Sequence, residues 1–347
     1  MIKRLKLTNF RQFKNLELNI TKDIVVIHGK NAIGKSTILE AISLITNGIS
    51  PWASGDEYIN NEQLEDDKYT RIEMETELNT FSLFKSSAKR EFKIDGHNTT
   101  PKKFFLNNAS SIFNPELIEI LMISPSRRRA FLDSVITIID YEYDTLLKNF
   151  NKTLRQRNAY LKKLSKKFYE QGIIARNDPQ LNFWTNEFIK LSNIIQNQRL
   201  DLAKELSSEN FKLLYKPSNR TTPLDESIED SKKRDIATGY TNIGPHRDDW
   251  DLVNGKDIKK FGSRGEKRLA IGELIFQTQA VIKNHIGEYP TLLLDDIASE
   301  LDEKNTKRIF SAKTLEKQQS FITVIYKEDV PKSILSKAQL IDLNLFK

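Results

Sequence analysis

An α/β fold interrupted by an inserted helical hairpin is the architecture this sequence predicts, and three features carry the prediction. The apolar run Ile24-Val25-Val26-Ile27 leads into a turn bounded by Gly29 and Gly34 and then into a segment with helical spacing. After Val135 the apolar period changes from alternation to a three-four spacing, and strand-type sequence resumes near Trp250. A second apolar run, Leu292-Leu293-Leu294, ends in two adjacent carboxylates, Asp295 and Asp296.

The elements follow in order. Residues 2–7 and 16–20 alternate as half-buried strands, while residues 24–27 suit a strand buried on both faces. Ser36-Thr37-Ile38-Leu39-Glu40-Ala41-Ile42 has helical spacing, and the polar, acidic stretch 52–70 reads as a loop. Residues 71–78 and 90–94 alternate again, with Asp95-Gly96 as a turn. Leu147, Phe150, Leu154, Leu161, Leu164 and Phe168 lie on one helical stripe; Leu181, Trp184, Phe188, Leu191, Ile195 and Leu202 lie on a second. Gly172 and Asn177-Asp178-Pro179 break the pattern between them, which predicts an antiparallel hairpin. Residues 216–234 read as a loop returning to the main body, residues 265–284 as a helix, and residues 291–294 and 321–325 as buried strands. The expected organisation is a head built from residues 1–135 and 236–347, with an arm over 136–235.

Composition narrows the class. The 347 residues are 38% hydrophobic and 29% charged, which fits a globular chain with a well-charged surface. No apolar run approaches the roughly 18 residues a membrane span needs, and the first residues show no signal-peptide pattern, so a cytoplasmic protein is expected. The absence of cysteine excludes disulfides, thiolate zinc sites and a cysteine nucleophile. The formal charge of +7 is modest, but residues 146–176 carry nine basic side chains against one acid, Glu170. That stretch includes Lys162, Lys163, Lys166 and Lys167, the residues expected to meet DNA phosphates; the plainer reading is a solvated helix face.

Gly29-Lys30-Asn31-Ala32-Ile33-Gly34-Lys35-Ser36 fits the phosphate-binding loop at every fixed position, and it sits between a buried strand and a helix. Backbone N–H groups of such a loop, continued by Thr37, can wrap the phosphates of ATP. Lys35 is expected to reach the β- and γ-phosphates and Ser36 to bind Mg²⁺. Asp295 is placed to hold the same ion, and Asp296 to orient and deprotonate the attacking water. Ser263-Arg264-Gly265-Glu266 precedes a helix and has the form of a capping box, Ser263 at the cap and Glu266 three residues on.

That segment also resembles the signature of ABC-type ATPases, and Ser299-Glu300-Leu301-Asp302 follows the two acids at the spacing of the D-loop of that class. The resemblance implies that Ser263 and Gly265 serve the nucleotide of a facing subunit, with Ser299 and Asp302 nearby, so that an ATP-dependent homodimer forms head to tail. Asn9-Phe10-Arg11, Asn114-Pro115-Glu116-Leu117, the run from Ser124 to Asp133, Leu154-Arg155-Gln156-Arg157-Asn158-Ala159-Tyr160-Leu161-Lys162 with Trp184 and Arg199, and Gly244-Pro245-His246-Arg247-Asp248-Asp249 occur in the order of one family. Over nearly its full length the chain resembles the RecF family, relatives of the structural-maintenance-of-chromosomes ATPases.

The resemblance implies an ABC-type ATPase head with Arg11 among the nucleotide contacts. It also implies ATP-dependent binding of duplex DNA and single-strand/double-strand junctions, and loading of RecA at gaps with RecO and RecR. Ala32 departs from the family's usual glycine, Arg264 and Glu266 depart from its usual Gln-Gly-Gln run, and residues 325–327 offer no histidine or threonine to sense the γ-phosphate. These departures point to slow or altered hydrolysis. Two rival functions remain at this level, a defence ATPase paired with a separate nuclease and a structural DNA clamp that binds ATP without turnover.

Overall fold

A computed structural model describes residues 1–48, 50, 52, 59, 68–106, 108–113, 124–172, 178–296, 315 and 317–346. The chain divides into two compact units, Met1–Ile118 with Gln279–Lys347, and Glu119–Thr278. The boundaries expected at 135/136 and 235/236 are therefore displaced outward on both sides. The second unit includes, besides the hairpin, a preceding helix and a small sheet of which only the strand near Trp250 was legible in the sequence.

In the first unit, β1 (Ile2–Phe10), β2 (Phe13–Asn19), β4 (Tyr69–Thr76), β5 (Thr80–Ser86), β6 (Arg90–Ile94) and β7 (His97–Asn98) form an antiparallel sheet in the order β2-β1-β4-β5-β6-β7. Its inner face is the alternation read from the sequence: Leu5 faces Leu18 on one side and Met74 on the other. The second sheet is parallel throughout, in the order β14-β3-β13-β12-β8, from β3 (Ile24–His28), β8 (Ser110–Phe113), β12 (Thr291–Asp295), β13 (Ser320–Val324) and β14 (Gln339–Asp342). Helix α1 (Lys35–Asn47) packs against strands of both sheets. Ile38, Leu39, Ala41, Ile42, Leu44 and Ile45 are all buried, because a helix covered on opposite sides has to be apolar over most of its circumference. A short helix, α2 (Pro101–Phe105), contributes Phe104 to the same core.

The second unit holds α3 (Pro125–Ile139) and the hairpin helices α4 (Glu142–Gln171) and α5 (Pro179–Glu205). Helix α4 ends at Gly172 with φ 67, and α5 begins at Asp178, whose carboxylate accepts from the N–H groups of Gln180 and Leu181, with Pro179 at the first helical position. Leu161, Leu164, Leu181 and Ile236 form a small cluster that joins the hairpin to α6 (Leu224–Thr238).

The stretch read as a loop over 216–234 thus contains most of a helix, preceded by β9 (Lys212–Lys216), which pairs with β10 (Asp249–Asn254). The buried face of α6 is built from Leu224, Ser227, Ile228, Ser231, Asp235 and Ile236, and its small polar members hid the period. The strand β11 (Lys256–Asp257), the short α7 (Ile258–Phe261) and α8 (Arg264–Ile286) complete the chain up to β12. A last short helix, α9 (Lys332–Leu335), precedes β14. Among the described residues no helix is long and apolar enough to cross a membrane.

Candidate nucleotide site

Strand β3, the loop after it and the start of α1 place Lys35 and Ser36 beside the end of β12. Gly29 (φ 155), Ala32 (φ 60) and Gly34 (φ 105) carry the positive dihedrals that fold the loop back on itself. A Cβ on Gly34 would lie 2.4 Å from Gln12 Nε2 and 2.5 Å from the Phe13 ring, so this position excludes a side chain twice over. Ala32 stands in the left-handed region with a Cβ, at a cost of about 1–2 kcal/mol.

Lys35 is buried, and its ammonium donates to the carbonyls of Gly29 at 2.8 Å and Lys30 at 2.9 Å. Burial pulls its pKa down, with Asp296 and Asp295 opposing the shift. The Ser36 hydroxyl donates to Asp295 Oδ1 at 2.9 Å, across 259 residues of sequence. Burial pushes the Asp295 carboxyl up, against hydrogen bonds from Thr323 and Ser36 and the charge of Lys35. Thr323, opposite Asp295 in the β12–β13 register, donates to the same Oδ1 at 2.6 Å and accepts from the Asp296 N–H at 3.0 Å. Asp296 leaves the strand with φ 45.

The flanks of the loop are fixed through Gln12, Asn344 and Glu40, which the sequence did not single out. Thr37 Oγ1 donates to Gln12 Oε1 at 3.2 Å, and the Lys30 N–H reaches Asn344 Oδ1 at 3.4 Å near the end of the chain. Arg11 makes a forked pair with Glu40 on α1, Nε to Oε2 at 2.9 Å and Nη2 to Oε1 at 2.8 Å. Its long sequence separation from Glu40 gave no local signal for that pairing.

In the other unit, Ser263 and Glu266 form the reciprocal capping box at the start of α8: the Ser263 N–H donates to Glu266 Oε2 at 2.7 Å and the Glu266 N–H donates to Ser263 Oγ at 3.2 Å. Lys256 and the Ser263 bonds hold the Glu266 carboxyl down at about 2. A Cβ on Gly265 would have Ser263 Oγ, at 4.0 Å, as its nearest neighbour, so the backbone there is sterically open. Ser299 and Asp302, with Asn114-Pro115-Glu116-Leu117, lie outside the described residues.

Lys162, Lys163, Lys166 and Lys167 are all exposed on α4, with Lys166 Nζ 3.7 Å from Glu170. Arg157, counted in the same basic stretch, is not part of that face. It is 1% exposed and pairs with the fully buried Asp235 at 2.9 Å. Arg128 also turns inward, to Asp249, while Arg129 donates to the Asp248 carbonyl and Arg199 pairs with Asp133. His246 is a packed ring between Phe150 and Phe188, its Nε2 3.0 Å from the Thr241 carbonyl oxygen.

A five-stranded parallel sheet, a glycine-bounded loop cupping a lysine, and a serine joined to a strand-end aspartate define a nucleotide-binding head of the P-loop class, to which the ABC-type ATPases belong. The sequence matches the family described as AAA domain over residues 4–346. It is 35% identical to the DNA replication and repair protein RecF of Clostridium kluyveri over 357 residues, covering 98% of this chain and 96% of that one. The RecF protein of Natranaerobius thermophilus is 31% identical over 365 residues, covering 96% and 93%. A solved structure of the recombination mediator protein RecF with ATPγS, in the RecFOR pathway, superposes with a TM-score of 0.82 at 29% identity, covering 95% of this chain and 94% of that one. Another, of RecF with ATP, gives 0.79 at 28% identity, covering 99% and 97%. The chain belongs to the RecF family of DNA replication and repair proteins.

Proposed function

We propose that the protein is a slow ATPase of recombinational repair that binds duplex DNA and single-strand/double-strand junctions as an ATP-closed homodimer and helps load RecA at gaps. The observation that carries the ATP part is the constellation around Asp295: a buried carboxylate bonded to Ser36, close to a lysine that rests on the carbonyls of its own loop. On phosphate binding, Lys35 exchanges the Gly29 and Lys30 carbonyls for β- and γ-phosphate oxygens. The N–H groups of residues 29–37 supply the remaining neutralisation.

The donor set at Ser36 and Asp295 fits Mg²⁺, a hard cation that takes a hydroxyl, a carboxylate and phosphate oxygens. Ser36 and Asp295 would hold it, and its chemistry there is to offset charge on the phosphate oxygens. Asp296 takes the proton of the attacking water. Because its side chain is a methylene shorter than glutamate, it reaches less far into the site, which supports slow turnover.

Ser263 and Gly265, with Ser299 and Asp302, serve the nucleotide of the facing subunit, and Arg11, held to α1 by its forked bond to Glu40, is among the nucleotide contacts. Lys162, Lys163, Lys166 and Lys167 bind DNA phosphates along the arm. RecO and RecR are the partners that family membership suggests, in the cytoplasm. The test is Asp296→Asn, measured as phosphate release beside dimer fraction and DNA affinity at saturating ATP. The amide can still position a water but cannot accept its proton, so turnover should fall about 10²- to 10⁴-fold while ATP binding survives. A closed dimer with raised DNA affinity should accumulate. Parental turnover in that variant would remove Asp296 from the chemistry. An undetectable parental turnover with intact ATP-dependent DNA binding would instead identify a non-hydrolysing clamp.

A further inference from the structure

We propose that Thr323 is a positioning residue whose hydroxyl sets the aim of Asp295 and the turn of the backbone at Asp296 together, so that one side chain on β13 governs both cation binding and turnover. This rests on the reading of the site as one for ATP with Mg²⁺. Thr323 is fully buried and lies opposite Asp295 in the parallel register. Within β13 its neighbours Phe321, Ile322 and Val324 serve the core, and a threonine among them reads as a strand former.

Its hydroxyl has one proton and two lone pairs, and the geometry assigns them. The proton goes to Asp295 Oδ1 at 2.6 Å, and a lone pair accepts the Asp296 N–H at 3.0 Å. Ser36 donates to that same Oδ1 at 2.9 Å. The carboxylate is thus fixed from α1 and from β13 at once, and rotation about its Cβ–Cγ bond would break both contacts. The Asp296 N–H, in turn, bonds a side chain instead of a neighbouring strand's carbonyl, at the residue where φ becomes 45 and the chain leaves the sheet. Thr323 therefore fixes two adjacent acids through different atoms, the side chain of one and the backbone of the other.

Thr323→Val removes the hydroxyl and keeps the volume and branching, so it separates positioning from strand formation. In the full-length protein, the Mg²⁺ concentration giving half-maximal ATPγS binding should rise about tenfold, and kcat should fall with little change in the KM for ATP. Thr323→Ser, which restores the hydroxyl, should return both towards the parent. A merely structural role would lower the unfolding temperature and leave the Mg²⁺ midpoint alone. If the valine variant does not fold, Thr323→Cys carries the same test, since a thiol is a weak donor of similar size. A valine or cysteine variant with the parental Mg²⁺ midpoint and kcat overturns the inference. A parent that fails to bind ATPγS with Mg²⁺ overturns the site reading beneath it, and the two failures are distinct.

Discussion

Replacing Arg157 with methionine removes a guanidinium that is 1% exposed and tied to three side chains: Asp235 at 2.9 Å, Thr241 at 2.5 Å and Thr185 at 3.2 Å. It also ends the stacking over Phe188, at 5.6 Å from the ring centroid. Asp235 keeps its bonds from the N–H and side-chain amide of Asn242, at 3.0 and 2.9 Å, but loses its cation while fully buried. Breaking one side of such a pair costs about 3–5 kcal/mol, because the remaining charge stays out of water. With a urea dependence of about 2 kcal/mol/M, the unfolding midpoint of the unit Glu119–Thr278 should fall by about 1.5–2.5 M. Trp184 and Trp250, both within that unit, report the transition by fluorescence. Arg157→Met with Asp235→Asn should recover most of the loss, since no buried charge then remains. DNA affinity below the transition should stay parental. An unchanged midpoint together with weakened DNA binding would refute the reasoning and put Arg157 back on the basic face.

Two further outcomes test the remaining parts of the account. Changing Lys162, Lys163, Lys166 and Lys167 to glutamate should weaken DNA binding and flatten its salt dependence, each lost phosphate contact removing about 0.9 from the log–log slope; an unchanged slope in a titration by anisotropy would make this face a solvated one. Ser263→Arg should leave nucleotide binding by the monomer intact and abolish ATP-induced dimerisation in light scattering, and a normal ATP-dependent dimer would count against head-to-tail closure.

The candidate nucleotide site was legible because the geometry it needs is local. A phosphate loop must have a strand before it, a helix after it and glycine where a Cβ cannot fit, and all three are written within residues 24–42. Asp295 was legible as the end of an apolar run, and Ser263 with Glu266 as a capping pair three residues apart. What stayed hidden depends on distant partners. Charge counting placed Arg157 among solvated lysines, since composition does not say which face of α4 meets Asp235. Helix α6 was hidden because Ser227, Ser231 and Asp235 occupy buried positions that a hydrophobic period expects to be apolar. Arg11 was assigned to the nucleotide, and its forked bond to Glu40 across 29 residues had no signature in either segment. Thr323 read as a strand residue because only the parallel register brings its hydroxyl to Asp295.

The central claim is that the loop around Lys35 is an ATP site, and nucleotide binding by Lys35→Ala is its most direct measurement. The ammonium lies over the carbonyls of Gly29 and Lys30, where it can pass to the phosphates, and the backbone N–H groups alone neutralise those charges poorly. Calorimetric titration with ATP and Mg²⁺ should show saturable binding by the parent and none by the folded variant at the same concentrations. Equal affinity in the two proteins would contradict the assignment.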